Sequence, residues 1–222
     1  MELKTQTDNV PIISIVVPAY NEESNIVPLR QRLAAVLEPY GDYEILFIDD
    51  GSSDATLQEI EKLAQADPRV KYLSFSRNFG HQKAIKAGLD YAAGQCAITL
   101  DADLQHPPEF IPVMIERWKQ GYNVVCAFRE NSSDLSWFKR KTSDYFYKLI
   151  NHLSSVEIRQ GAADFRLMDR ASLDVFRQIK EEHLFFRGMI SWIGFKQCFI
   201  PYQQEKRLCG KSKYSLKKMV LL

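Results

Sequence analysis

Five short apolar runs alternate with amphipathic stretches over the first 130 residues, and this alternation limits the chain to few folds. Residues 12–17 are apolar apart from Ser14, which reads as a buried strand. Residues 22–37 place Ile26, Leu29, Leu33, Val36 and Leu37 on one helical face. A second strand is expected over 43–48. Ser52 or Ser53 can then cap a helix whose apolar positions are Leu57, Ile60, Leu63 and Ala64. The remaining pairs are a strand over 70–75 with a helix over 82–93 closed by Gly94, and a strand over 97–100 with a helix over 109–119 stopped by Gly121. A fifth strand is expected over 124–128. Repeated strand–helix alternation predicts an α/β fold, a mostly parallel sheet with helices on both faces.

Beyond Arg129 the pattern changes. Residues 132–153 read as a long amphipathic helix carrying Trp137, Phe138, Tyr145, Phe146, Leu149 and Ile150. A strand is expected over 162–168, helices over 173–179 and 183–192, and a strand over 195–200. No repeat or low-complexity linker divides the chain. The expected organisation is a polar tail over 1–11, one α/β domain over 12–200 and a basic segment over 201–222.

With 222 residues, 45% of them apolar and a net charge of +1, the chain can build one sizeable core, and no global nucleic-acid signal appears. Cys96, Cys126, Cys198 and Cys209 form no paired metal motif, and a reducing compartment fits them. The N-terminus lacks the apolar core of a signal peptide, and no stretch reaches a membrane span. Residues 206–218 contain six Lys and Arg and no acid, then run into Met219-Val220-Leu221-Leu222. A cytoplasmic approach to a membrane has this form, and so does an ordinary basic helix.

Ligands of open parallel sheets bind outside the carboxyl ends of the strands. Three such ends carry polar clusters: Pro18-Ala19-Tyr20-Asn21-Glu22, Asp49-Asp50-Gly51-Ser52-Ser53-Asp54 and Asp101-Ala102-Asp103. Paired acids at a strand end suit a divalent cation that bridges protein to phosphate oxygens. Each cluster alone is equally a turn or a helix cap. Neither GxGxxG nor GxxxxGKS occurs, which removes support for dinucleotide and Walker-type sites.

The segments VVPAYNE, FIDDGSSD, SRNFGHQKAIKAGLDYAAG, DADLQHPPE, GAADFRLMDR, FFRGMISWIGF and the Arg207…GKSKYS tail together resemble family-2 glycosyltransferases of the GT-A fold. The resemblance is narrowest to polyprenyl-phosphate glycosyltransferases, the branch of bactoprenol glucosyltransferases and dolichol-phosphate mannose synthases. It implies a nucleoside pocket of Pro18, Tyr20, Glu22 and Asp50, with Asp50 accepting from a uracil N–H. It implies Mg²⁺ or Mn²⁺ on Asp101 and Asp103, with Gln105 as a third oxygen. It also implies a UDP-sugar donor and a polyprenyl phosphate acceptor. Two features depart from the glucosyltransferase pattern: His106, which resembles the mannose-synthase version, and the pair His81-Gln82. Both bear on the donor sugar.

The implied reaction is inverting transfer. A phosphate monoester has a second pKa of about 6, so the acceptor needs positioning more than deprotonation. Asp164 would orient the acceptor or a cationic side chain, or act as base; a structural ion pair with Arg166 or Arg170 is the plainer reading. Arg129 is the expected catalytic cation, and Arg140, Ser143, Arg207 and Lys213 the acceptor-phosphate residues. Members of the branch usually continue into transmembrane helices. The chain is therefore expected to be the soluble part of a multi-pass protein at the cytoplasmic face of the membrane, with self-association open. The rival readings are a family-2 transferase with a soluble or cell-surface saccharide acceptor and a non-catalytic membrane scaffold.

Overall fold

The computed structural model describes residues 12–129, 162–179, 181 and 186–205. Seven strands form one sheet: β1 (Ile13–Ala19), β2 (Tyr43–Asp49), β3 (Val70–Ser74), β4 (Cys96–Thr99), β5 (Val124–Arg129), β6 (Ala162–Asp169) and β7 (Gln197–Tyr202). Their spatial order is β3-β2-β1-β4-β6-β5-β7. All pairings are parallel except those of β6, which runs antiparallel to both β4 and β5. The helices are α1 (Glu23–Leu37), α2 (Thr56–Ala66), α3 (His81–Tyr91), α4 (Ile111–Lys119), α5 (Arg170–Arg177) and α6 (Phe186–Trp192).

The central strands β1, β2 and β4 are buried along their whole length, on both faces of the sheet. Ile13, Ile15 and Val17 of β1 pack with Leu29 and Leu33 of α1, while Val16 packs on the other face with Ile85 and Leu89 of α3. α3 approaches the sheet closely because Gly88 has no side chain. A Cβ there would lie 2.4 Å from Val16 Cγ1 and 2.6 Å from Ile48 Cδ1.

Arginines of α5 hold the far end of α3. Arg177 donates to Leu89 O at 2.8 Å, and Arg170 donates to Ala92 O at 3.0 Å and from Nε to Gly94 O at 3.0 Å. Cations on the last carbonyls complement the negative end of the helix dipole. Burial pulls the Arg177 pKa below its ordinary value.

The first five strands and four helices match the sequence expectation to within a few residues. The antiparallel insertion of β6 between β4 and β5 does not follow from periodicity. β7 extends to Tyr202, so the sheet crosses the expected boundary at residue 200. The expected helix over 132–153, with Trp137 and Phe138, lies outside the described residues.

Candidate active site

The carboxyl ends of β1, β2, β4 and β5 share one edge of the sheet. Because β6 is antiparallel, its beginning reaches the same edge. Thr99 pairs with Arg166; continuing that register by two residues sets Asp164 opposite Asp101. Arg129 ends β5 there, paired with Tyr202. The topology thus collects Pro18, Tyr20, Glu22, Asp50, Asp101, Asp103, Gln105, Arg129 and Asp164 along one rim.

The β1 and β2 loops are stitched together. Asn21 N donates to Ser52 Oγ at 2.9 Å, Ser53 N to Asn21 Oδ1 at 2.7 Å, and Glu22 N to Thr56 Oγ1 at 2.7 Å. Asn21 takes a φ of 53°, which an Asn tolerates better than most side chains. Asp49 is buried and accepts from Ser52 N at 3.3 Å, so it shapes its turn. Asp50 is also buried. Its carboxylate accepts from Phe79 N at 2.7 Å and from Gly80 N at 3.0 Å, pinning the entry of α3. Asp50 therefore has a structural duty that the sequence did not reveal. Gly51 is required at its position: φ is 68°, and a Cβ would lie 2.3 Å from the Arg77 carbonyl carbon.

The β4 loop is wound tightly. Asp103 Oδ1 accepts from Gln105 N at 3.1 Å, and His106 Nδ1 accepts from Asp101 N at 3.1 Å. Leu104, fully buried, has a φ of 62°. Gln105 is held from the other side: its backbone O accepts from Glu205 N at 3.2 Å, and its side-chain Oε1 accepts from Gln204 Nε2. The carbonyl expected to ligate a cation thus already has a donor.

His81 and Gln82 open α3 against the two key carboxylates. Gln82 Nε2 donates to Asp164 Oδ2 at 3.1 Å. Arg166 donates to Asp164 Oδ1 at 3.1 Å from a nearly buried guanidinium. His81 Nε2 lies 3.4 Å from Asp101 Oδ1 and 3.6 Å from Asp164 Oδ2. Burial disfavours the His81 imidazolium. The hydrogen bond to Asp164 and the charges of Asp101, Asp164 and Asp50 outweigh that, and its pKa rises above the ordinary value. In the sequence, His81-Gln82 stands out only as a departure from the glucosyltransferase pattern; the place of the pair at the start of a helix beside the rim is the signal that points to the site.

Asp101 Oδ1 is buried and accepts no hydrogen bond. An unsatisfied hard oxygen in a rim of carboxylates fits a divalent cation. Among the described residues, no three His, Cys, Asp or Glu side chains are placed to hold a metal by themselves. A cation here would complete its shell from a ligand such as a diphosphate. Arg140, Ser143, Arg207 and Lys213 lie outside the described residues.

A sheet of this order, with helices on both faces and carboxylates gathered at the β4–β6 edge, is a GT-A fold. The chain belongs to glycosyl transferase family 2, whose model matches residues 14–176. It is 48% identical over 210 residues to an uncharacterized glycosyltransferase of Bacillus subtilis, covering 94% of this chain and 65% of that protein. It is 43% identical over 205 residues to a prophage bactoprenol glucosyl transferase homolog of Escherichia coli, covering 91% and 67%. The chain thus spans about two thirds of the length of these curated relatives. Among solved structures, glucosyl-3-phosphoglycerate synthase from Mycobacterium tuberculosis in complex with Mn²⁺ and UDP-glucose superposes with a TM-score of 0.56 at 18% identity. The match covers 95% of this chain and 74% of that one, and at this identity the likeness is one of fold. Among the described residues, no helix is long and apolar enough to cross a membrane.

Proposed function

We propose that this chain carries the catalytic domain of an inverting, metal-dependent glycosyltransferase that moves glucose from UDP-glucose to a polyprenyl phosphate. The observation that carries this reading is the gathering of Asp101 and Asp164 about one imidazole at the β4–β6 edge, His81 Nε2 lying 3.4 and 3.6 Å from them, with Asp101 Oδ1 buried and accepting no hydrogen bond. The 43% identity to a bactoprenol glucosyl transferase homolog supports the acceptor and the sugar. The Mn²⁺ and UDP-glucose in the structural neighbour support the metal and the nucleotide.

Asp101 and Asp103 hold the cation, and Gln105 braces their loop through Gln204 and Glu205. When bound, Mg²⁺ or Mn²⁺ supplies positive charge against the leaving diphosphate. The rim of β1 and β2 takes the nucleoside, with Tyr20, Glu22 and Asp50 around it. Asp164 is held by Gln82 and Arg166, so its carboxylate has a fixed direction and each of its oxygens accepts a hydrogen bond. Such a carboxylate orients better than it deprotonates. The acceptor oxygen attacks the anomeric carbon as the bond to the diphosphate breaks, and Arg129, exposed at the end of β5, faces the anionic partners. The same reading places the protein at the cytoplasmic face of a membrane, where its lipid acceptor resides.

The deciding experiment is a donor screen with undecaprenyl phosphate in detergent, read by mass spectrometry. UDP-glucose with Mg²⁺ or Mn²⁺ should give a hexosyl lipid phosphate, and EDTA or Asp103→Asn should abolish it. A product formed equally in EDTA would overturn the metal role. A water-soluble saccharide product would overturn the lipid acceptor.

A further inference from the structure

The loop that presents Asp101 and Asp103 doubles back on itself within six residues, and His106 closes it. Its Nδ1 lies 3.1 Å from the backbone nitrogen of Asp101. A backbone N–H can only donate, so Nδ1 is the acceptor and carries no hydrogen. The same nitrogen is 3.7 Å from Asp101 Oδ2. That approach is no ion pair, because an N–H on Nδ1 would point into the N–H of Asp101.

The ring is fixed in this orientation. His106 is 5% exposed and stacks on Phe165 with ring centres 5.1 Å apart and planes 17° apart. Tyr202 meets it edge-on at 5.8 Å. Phe165 follows Asp164 in β6, and Tyr202 ends β7. The imidazole thus links the backbone of one rim carboxylate to the strand that carries the other. The loop it closes stores a left-handed Leu104, a conformation that a buried Leu keeps only when its surroundings enforce it.

We propose that His106 is a positioning residue for the cation site: its bare Nδ1 fixes the backbone of Asp101 and thereby aims the carboxylate. The inference rests on the reading of Asp101 as a cation ligand. It requires an acceptor two bonds from Cβ, which Asn also offers through Oδ1 and Phe does not. Phe, however, keeps the stack on Phe165.

The test compares wild type, His106→Asn and His106→Phe by Mn²⁺ titration with saturating UDP, read by electron paramagnetic resonance of free Mn²⁺. Groups that orient a metal ligand typically change affinity 10- to 100-fold when removed. His106→Phe should weaken Mn²⁺ binding by about tenfold or more, and His106→Asn should stay within about threefold of wild type. Equal affinity in His106→Phe, or an equal loss in both variants, would overturn the proposal. Nitrogen-15 NMR of the metal-free wild-type protein gives an independent arm that needs no variant to fold. His106 should show an unprotonated Nδ1 and a protonated Nε2, and the reverse pattern would overturn the proposal. If wild type binds no Mn²⁺, the metal reading of Asp101 fails, and the nitrogen spectrum still decides whether His106 accepts.

Discussion

Gln82 donates its side-chain amide to Asp164 Oδ2 across 3.1 Å, which joins the first turn of α3 to the start of β6. A carboxylate only accepts, so this bond fixes which way the amide faces and leaves Gln82 Oε1 buried without a donor. Gln82→Leu removes one of the bonds that direct Asp164 and should lower kcat about tenfold, with little change in the donor KM. Gln82→Glu sets a second carboxylate against the first and should lower kcat further. Steady-state kinetics read both, and unchanged kcat in Gln82→Glu would show that the orientation of Asp164 is irrelevant.

Asp50 should decide nucleoside choice. Calorimetry is expected to show UDP binding better than ADP, with the preference lost in Asp50→Ala. A hydrogen bond to a charged acceptor contributes about 1.5–3 kcal/mol, a factor of roughly 10 to 100. Because Asp50 also receives Phe79 N and Gly80 N, the variant should lose some thermal stability as well. Retained preference for UDP in the variant would assign the base to other residues.

Acid should unfold the protein partly through Asp67. Burial raises its pKa, but hydrogen bonds from the Arg69 side chain and backbone and from Arg30 outweigh that and bring it down to about 2. A folded pKa below the unfolded one stabilises the fold above about pH 4, and that contribution is lost as pH falls towards 2. Its size at neutral pH is on the order of 2 kcal/mol. Urea unfolding of wild type and Asp67→Asn should differ at pH 7 and converge near pH 2. A constant difference would assign the stability of Asp67 to packing.

Gly88→Ala tests the close approach of α3. Ala favours a helix by about 1 kcal/mol over Gly. Here the added methyl meets Val16 and Ile48, and overpacking of this kind typically costs about 1–3 kcal/mol. The variant should melt several degrees lower, and adding Val16→Ala should recover part of the loss. A higher melting temperature in the single variant would show that the sheet yields.

The strands and helices of the first 130 residues were legible because each apolar run carries its own period, and the turns between them carry caps and glycines. The three polar strand ends were legible for the same reason: strand direction in a parallel sheet places them at one edge. The position of β6 was not legible. Hydrophobic period reports burial and is silent on which neighbour a strand pairs with, so the meeting of Asp164 with Asp101 had to come from the register. The second duties of Asp50 and Gln105 were also hidden, since both depend on partners far away or distant in sequence: Gly80 lies thirty residues beyond Asp50, and Gln204 almost a hundred beyond Gln105.

Arg32 of α1 grips Glu109 through Nε at 2.9 Å and Glu205 through two nitrogens at 2.8 and 2.9 Å, while Glu205 N rests on Gln105 O. The guanidinium is half-buried, and its two carboxylate partners raise its pKa. In mechanical terms, the loop from Asp101 to His106 and whatever follows residue 205 are connected in series. A tug on the chain beyond this point reaches the Gln105 carbonyl before it reaches the core. Arg32 is one rivet that resists it, and the Gln204 side chain on Gln105 Oε1 is another.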